Sequence, residues 1–250
     1  MPLLIEACVD TIRSAIAAQL GGADRIELCD NLAEGGTTPS HGTIGMAVEH
    51  LTIPVFPIIR PRAGSFVYDD HEVEVMRRDV KHARWLGAHG VVVGALTTDG
   101  AIDERVVRVL QDAAKDIPVT FHRAFDVCRD PMAALETLVS LGVTRVLTSG
   151  QRATAWEGRQ LLAELRRQAE GRITIVAGGG VDESNAAGLV RETGVTELHV
   201  RGTMPFREVV AFHDQPVPFR RPAGEDEGTR FVTDPIRIGA IRAAANAGSS

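Results

Sequence analysis

Eight short apolar runs alternating with amphipathic helical stretches predict an α/β fold: a closed ring of eight parallel strands wrapped by helices, the TIM or (β/α)8-type barrel. Three observations carry this prediction. The runs come in order at Leu3–Ala7, Arg25–Cys29, Ile53–Ile59, Gly90–Gly94, Ile117–His122, Thr144–Ser149, Ile173–Ala177 and Glu197–Arg201. Between them apolar residues fall three and four apart, as in Val73, Met76, Val80 and Ala83, so each intervening segment has one face to bury against a sheet. A helix stop followed by a strand also recurs: Gly22-Ala23-Asp24-Arg25-Ile26-Glu27 has counterparts beginning at Gly87, Gly142 and Gly194, about two strand–helix units apart. No Gly-x-Gly-x-x-Gly follows the first run, which argues against an open, doubly wound sheet.

The elements follow in order. The first helix stops at Gly21, and the loop Glu34–Ser40 leaves strand two, with Thr38-Pro39 offering a capping oxygen before a proline at the first helical position. Strands three and five both open on Ile-Pro-Val, and the helix stop at Gly87 precedes strand four. Val106, Val107, Leu110 and Ala114 mark the helix after it, while Asp130-Pro131 opens the next helix and Gly142 closes it. Strand seven exits through Gly178-Gly179-Gly180, and the following helix begins near Ser184 and stops at Gly194. Beyond Arg201 the alternation ends: Pro205, Pro216, Pro218, Pro222 and the charged run Glu225–Glu227 predict a long loop, and Asp234–Ala245 one last helix. This tail has too few apolar residues for its own core, so residues 1–250 are read as one domain, the barrel at about 1–205 and a loop-and-helix appendage at about 206–250.

Charge and cysteine usage narrow the function. A net charge of −6 leaves no basic field to attract nucleic acid or anionic lipid, so neither partner is expected. Three cysteines cannot all pair, none stands in Cys-x-x-Cys, and free thiols suit a reducing compartment. The opening Met1–Glu6 carries no basic region and no apolar run approaches the ~18 residues of a membrane span, so a cytoplasmic protein is expected.

In such a barrel the chemistry gathers at the C-terminal strand ends. Residues two apart on a strand share a face, so Glu6 and Cys8 belong together, and Glu27 and Cys29 repeat the same Glu-x-Cys pair one strand over. Neighbouring strands run about 4.8 Å apart, close enough for two thiolates to share one soft ion. Arg60, His122-Arg123, Ser149 and the pair His199 and Arg201 end other strands at the same rim. The glycines 178–180 stand where barrels commonly bind phosphate, since backbone N–H groups approach an anion closely there, and the Glu34–Ser40 loop is expected to close over the same mouth. Each residue also has a purely structural reading: Glu6 and Glu27 salt-bridged by Arg60 or Arg123, His199 as a satisfied core histidine, and Cys128 as packing. His41, His50, His71, His82 and His213 are scattered without metal-ligand spacing and receive no role.

The strings Arg25-Ile26-Glu27-Leu28-Cys29, Glu34–Ser40, Ile59-Arg60-Pro61-Arg62, Thr120–Asp126 and Val146–Gly150 resemble the copper homeostasis protein CutC family, from about Leu3 to Arg201. The resemblance implies a cytoplasmic TIM-type barrel, often dimeric, named for copper tolerance, with Cys8 and Cys29 at positions proposed to hold Cu(I). Two stretches depart: the family's usual Arg-Pro-Arg-Gly-Gly-Asp-Phe reads here Arg60-Pro61-Arg62-Ala63-Gly64-Ser65-Phe66, and near strand eight the family's small residue after His is replaced around Val200-Arg201.

Two classes of function compete. In the first, Cys8 and Cys29 are thiolate ligands of Cu(I) and the partner is the copper ion. In the second, the chain is an enzyme or binder of aldolase, isomerase or lyase type for a small anionic metabolite, phosphorylated or carboxylated. Glu6 or Glu27 then acts as base, Arg60 and Arg123 clamp the anion, His122 transfers a proton, and Ser149, Gly178, Gly179, Gly180, His199 and Arg201 bind the ligand. The sequence calls for no organic cofactor in either case.

Overall fold

The computed structural model describes residues 3–207 and 229–248. Strands β1 (Leu4–Val9), β2 (Arg25–Leu28), β3 (Val55–Pro57), β4 (Val91–Val93), β5 (Val119–Phe121), β6 (Arg145–Thr148), β7 (Thr174–Gly178) and β8 (Glu197–Val200) pair in parallel in the order β3-β2-β1-β8-β7-β6-β5-β4. A bridge between Ile58 and Val92 closes the ring, with Ile59 N–H donating to Val92 O at 2.7 Å. Both faces of each strand are covered, which is why the runs read as near-continuous apolar segments rather than alternating ones.

Helices α1 (Ile12–Leu20), α2 (His41–His50), α3 (Asp70–Trp85), α4 (Glu104–Ala114), α5 (Pro131–Ser140), α6 (Arg159–Ala169) and α7 (Ala186–Thr193) form the outer layer. The spaced residues of α3, Val73, Met76, Val80 and Ala83, are the ones it buries, and an Asp69/Glu72 capping box sets its start. Asp130 caps α5 ahead of Pro131 as expected. Thr38 does not cap α2. That helix begins two residues after Pro39 with Ser40 as its cap, while Thr38 Oγ1 accepts from Arg60 N–H at 2.9 Å and ties the loop to the end of β3.

The tail differs from the long loop the prolines suggested. Strands β9 (Thr203–Arg207) and β10 (Thr229–Thr233) form an antiparallel hairpin through Pro205, tolerable in a two-stranded ribbon where one side of each strand needs no ladder donor. Helix α8 (Pro235–Gly248) then packs against α7 and α1, taking the outer-ring place between the last helix and the first. A Cβ on Gly21 would meet Pro235 O at 2.5 Å, so this docking needs a glycine at the end of α1. Pro216, Pro218, Pro222, the run Glu225–Glu227 and His213 lie outside the described residues.

The barrel interior is charged at its base. Arg25 donates from Nε to Glu6 at 2.5 Å and pairs through Nη2 with Glu197. The Arg25 and Arg145 guanidiniums lie 5.2 and 4.5 Å from the centroid of the Phe56 ring. Gly90 and Gly94 make the room: a Cβ there would sit 2.4 Å from the Phe56 ring and 2.2 Å from His122 Cε1. Bulky interior side chains thus face glycines on β4 and its flanks, as filling a narrow barrel requires.

Candidate functional site

Strand register places the site. Cys8 on β1 lies opposite Glu27 on β2, Glu6 lies opposite both Arg25 and His199, and Gly178 lies opposite His199. These parallel pairings stack Glu6, Cys8, Glu27, Cys29 and His199 in one corner of the barrel, the later residues nearer the C-terminal mouth.

At that mouth opens a cavity of ≈ 400 Å³ whose wall includes Cys8, Glu27, Cys29, Arg60, His122, Arg123, Gly179, Gly180, His199 and Arg201. Leu32 and Gly35 of the β2 loop also reach it, so that loop does lie over the mouth. Arg60 holds it there, donating from Nη1 to Glu34 O and Gly36 O, each at 2.8 Å.

The sulfurs of Cys8 and Cys29 stand 3.8 Å apart, and with a Glu27 oxygen they form the group of potential ligand atoms within 4.8 Å of one another. The S–H of Cys29 donating to Cys8 holds the Cys8 thiol well below its ordinary value against the opposing effect of burial, and raises the Cys29 thiol well above its own. Burial, then the charge on Cys8, pushes Glu27 well above the carboxylate range. Burial works against a charge on His199, yet Glu27, Cys8 and Glu6 around it raise its pKa well above the imidazole value. Its Nδ1 meets Glu6 Oε1 at 2.7 Å and its Nε2 lies 3.4 Å from Glu27.

Glu6 itself does not reach the cavity wall. Burial would raise its pKa, but hydrogen bonds from His199 and the Arg25 cation bring it down to about 2. Its ion-pair partner is Arg25, not the Arg60 or Arg123 considered from sequence, because Arg25 is the residue opposite it in register. Glu6 thus positions His199 from behind, and His199 is both a satisfied interior histidine and a wall residue.

On the far wall, Arg123 is already engaged by Asp126 at 2.7 Å and by Ser149 Oγ at 2.9 Å, and the fully buried Ser149 stays behind it. Gly178 is the last residue of β7 rather than part of the exit loop, and its missing side chain admits Leu147 and His199, whose atoms a Cβ would meet at 2.5 and 3.0 Å. Gly179 and Gly180, at φ 107° and 68°, make the turn that lines the mouth. Cys128 is buried, as packing predicts. His41 and His82 form a surface aromatic group with Trp85 rather than any site.

Several contributors escaped sequence reading. Arg25 was legible in principle, since it shares a strand face with Glu27 and Cys29. Phe66, Thr203 and Arg237 also line the mouth, and Arg237 arrives from α8, far along the chain, with no local signal to announce it.

Comparison with known proteins agrees with this architecture. The sequence profile of the CutC family matches residues 3–204. A family protein CutC from Bacteroides fragilis is 48% identical over 236 residues, covering 94% of both chains. The human copper homeostasis protein cutC homolog is 45% identical over 242 residues, covering 97% of this chain and 89% of its own. A crystal structure of a CutC from Streptococcus agalactiae superposes with a TM-score of 0.77 at 38% identity, over 79% of this chain and 98% of that one. Phosphoribosylanthranilate isomerase from Pyrococcus furiosus, at 14% identity and a TM-score of 0.58 over 98% of both chains, shares the barrel fold alone.

Proposed function

Because this chain belongs to the CutC copper homeostasis family, and two of its thiols stand side by side on one cavity wall, we propose that it binds Cu(I) as cargo through Cys8 and Cys29 in the reducing cytoplasm. The 3.8 Å separation of the two sulfurs carries the reading. Thiolates are the donors that select Cu(I) over harder ions, and the Glu27 carboxyl is the third group within reach. The donor set fits: two adjacent thiols, the Cys8 thiol held below its ordinary value, can bind as thiolates with loss of their protons. His199, whose pKa its acidic neighbours raise well above the imidazole value, stands beside the site where a proton on it would offset the added negative charge of a bis-thiolate complex.

Anaerobic Cu(I) titration is expected to give one tightly held ion per chain with release of thiol protons. Cys8→Ser/Cys29→Ser is expected to lose that stoichiometric binding. Tight binding retained by the double variant removes these ligands. A homodimer is proposed with this function on the strength of the family resemblance, and sedimentation at the 26.8 kDa of one chain would remove that part.

A second reading, an enzyme or binder for a small carboxylated or phosphorylated metabolite, is favoured by one observation. Arg60 is buried at 5% exposure, and among the described residues no carboxylate pairs with it. Under this reading Glu27, its pKa raised by burial, serves as an acid rather than a base, and Glu6 positions His199 without touching the ligand.

A further inference from the structure

Arg60 and His122 each keep a buried donor that no described residue accepts, and the thiolate site makes no use of either. His122 is 4% exposed. Its Nδ1 accepts from Ala124 N–H at 3.1 Å, so the proton of the neutral ring sits on Nε2, which has no partner among the described residues and is itself closed to solvent, so that a ligand reaches it only as the ring shifts toward the cavity. Arg60 gives two Nη1 bonds to Glu34 O and Gly36 O and one from Nη2 to Gly64 O at 3.0 Å. Three of the five N–H groups of a guanidinium are thus used, all on carbonyls, and Nε has no partner among the described residues. Carbonyl dipoles hold the side chain in place but leave its charge without a counter-ion.

The two groups meet on one ring. Arg60 Cζ lies 5.1 Å from the Phe66 centroid, the His122 ring centroid lies 5.1 Å from the same point, and all three residues line the cavity. Of the other cations at the mouth, Arg123 is engaged by Asp126 and Arg237 by Glu183, while Arg201 is exposed to solvent. One buried positive charge without a carboxylate calls for one negative charge from a ligand.

We propose that the Arg60–His122 wall binds a small α-oxygenated carboxylate, a 2-oxo or 2-hydroxy acid, with its carboxylate on Arg60 and its α-oxygen accepting from His122 Nε2–H. The assignment rests on the second reading of the cavity and names its ligand class. A monoanion matches the one buried guanidinium that lacks a carboxylate at this wall among the described residues, whereas the second charge of a phosphate dianion would have to reach the exposed Arg201. Burial keeps His122 neutral, so it acts as a directional donor and the charge falls to Arg60.

Calorimetric titration of the full chain at neutral pH with pyruvate, glycolate, acetate and inorganic phosphate tests this, alongside the NMR signal of His122 Nε2–H. Pyruvate or glycolate is expected to bind and to shift that signal. Arg60→Lys is expected to weaken binding at least about tenfold, because a point charge replaces the planar donor set. His122→Gln is expected to bring pyruvate close to acetate. Acetate binding as tightly as pyruvate in the unaltered protein overturns the part given to His122. Phosphate binding alone overturns the carboxylate class while leaving the cavity a small-anion site, and no binding by any of the four overturns both. Should Arg60→Lys fail to fold, the shift of the His122 signal in the unaltered chain decides the matter.

Discussion

Replacing Arg25 with methionine is expected to cost about 3–5 kcal/mol of folding free energy, because removing one member of a buried ion cluster strands the others. Arg25 and Glu6 have side chains 5% and 2% exposed, and Arg25 also neutralises Glu197. The remaining cation nearby, Arg145, donates from Nε to Thr120 Oγ1 at 3.1 Å, and any shift it makes toward the stranded acids sets the cost at the lower end. Urea unfolding at pH 7 measures the effect. The loss should shrink as pH falls, since Glu6 without its cation would take up a proton and become neutral. Adding Glu6→Gln and Glu197→Gln to Arg25→Met should recover part of the stability. A single variant that loses less than about 1 kcal/mol, as at an exposed ion pair, contradicts the assignment of this cluster to the interior.

Acidification is expected to weaken the fold from about pH 6.5 downward through His122. Burial, and then the Arg60 charge, depress its pKa from 6.5 to about 3. Between those values the unfolded chain binds a proton that the folded chain refuses, so stability is fully present above pH 6.5 and is lost as pH falls. Down to pH 4.5 the loss amounts to roughly 2–3 kcal/mol. Glu6, lowered to about 2, opens a second acid window below 4.5 with the same sign. His199 runs the other way: its raised pKa contributes stability fully present below 6.5 and lost as pH rises through the folded value. Glu27, its pKa raised by burial, takes up a proton in the folded chain before the unfolded one and so opposes the loss over the same range. Urea midpoints between pH 7 and 4.5 should therefore slope more steeply toward loss in the unaltered protein than in His122→Gln. Equal slopes in both proteins would show that His122 is protonated in the folded state.

The strand-end chemistry was legible as far as strand periodicity reaches. Glu27, Cys8 and Cys29 share a corner because residues two apart point the same way and β1 and β2 are neighbours in sequence and in space. Arg60 and His122 reach the same cavity for the matching reason, as residues just past β3 and β5. Depth along the strand was not legible. Glu6 and Cys8 look equivalent in sequence, yet the tilt and stagger of a closed barrel place Glu6 below the cavity floor, where register hands it to Arg25 and His199. Arg123 and Ser149 stand at the right strand ends, but Asp126 claims both, a contact set by the fold of a short turn.

By itself the sequence determined the barrel, the order of its strands and which side chains face inward, because these follow from local periodicity and from burial common to every parallel strand. Only the tertiary structure decided the electrostatic state of each group at the mouth, with the pKa values of Cys8 and His122 driven down and those of Glu27 and His199 driven up. Those states depend on desolvation and on charges brought together from strands up to 193 positions apart, and neither quantity is a property of any local stretch of chain.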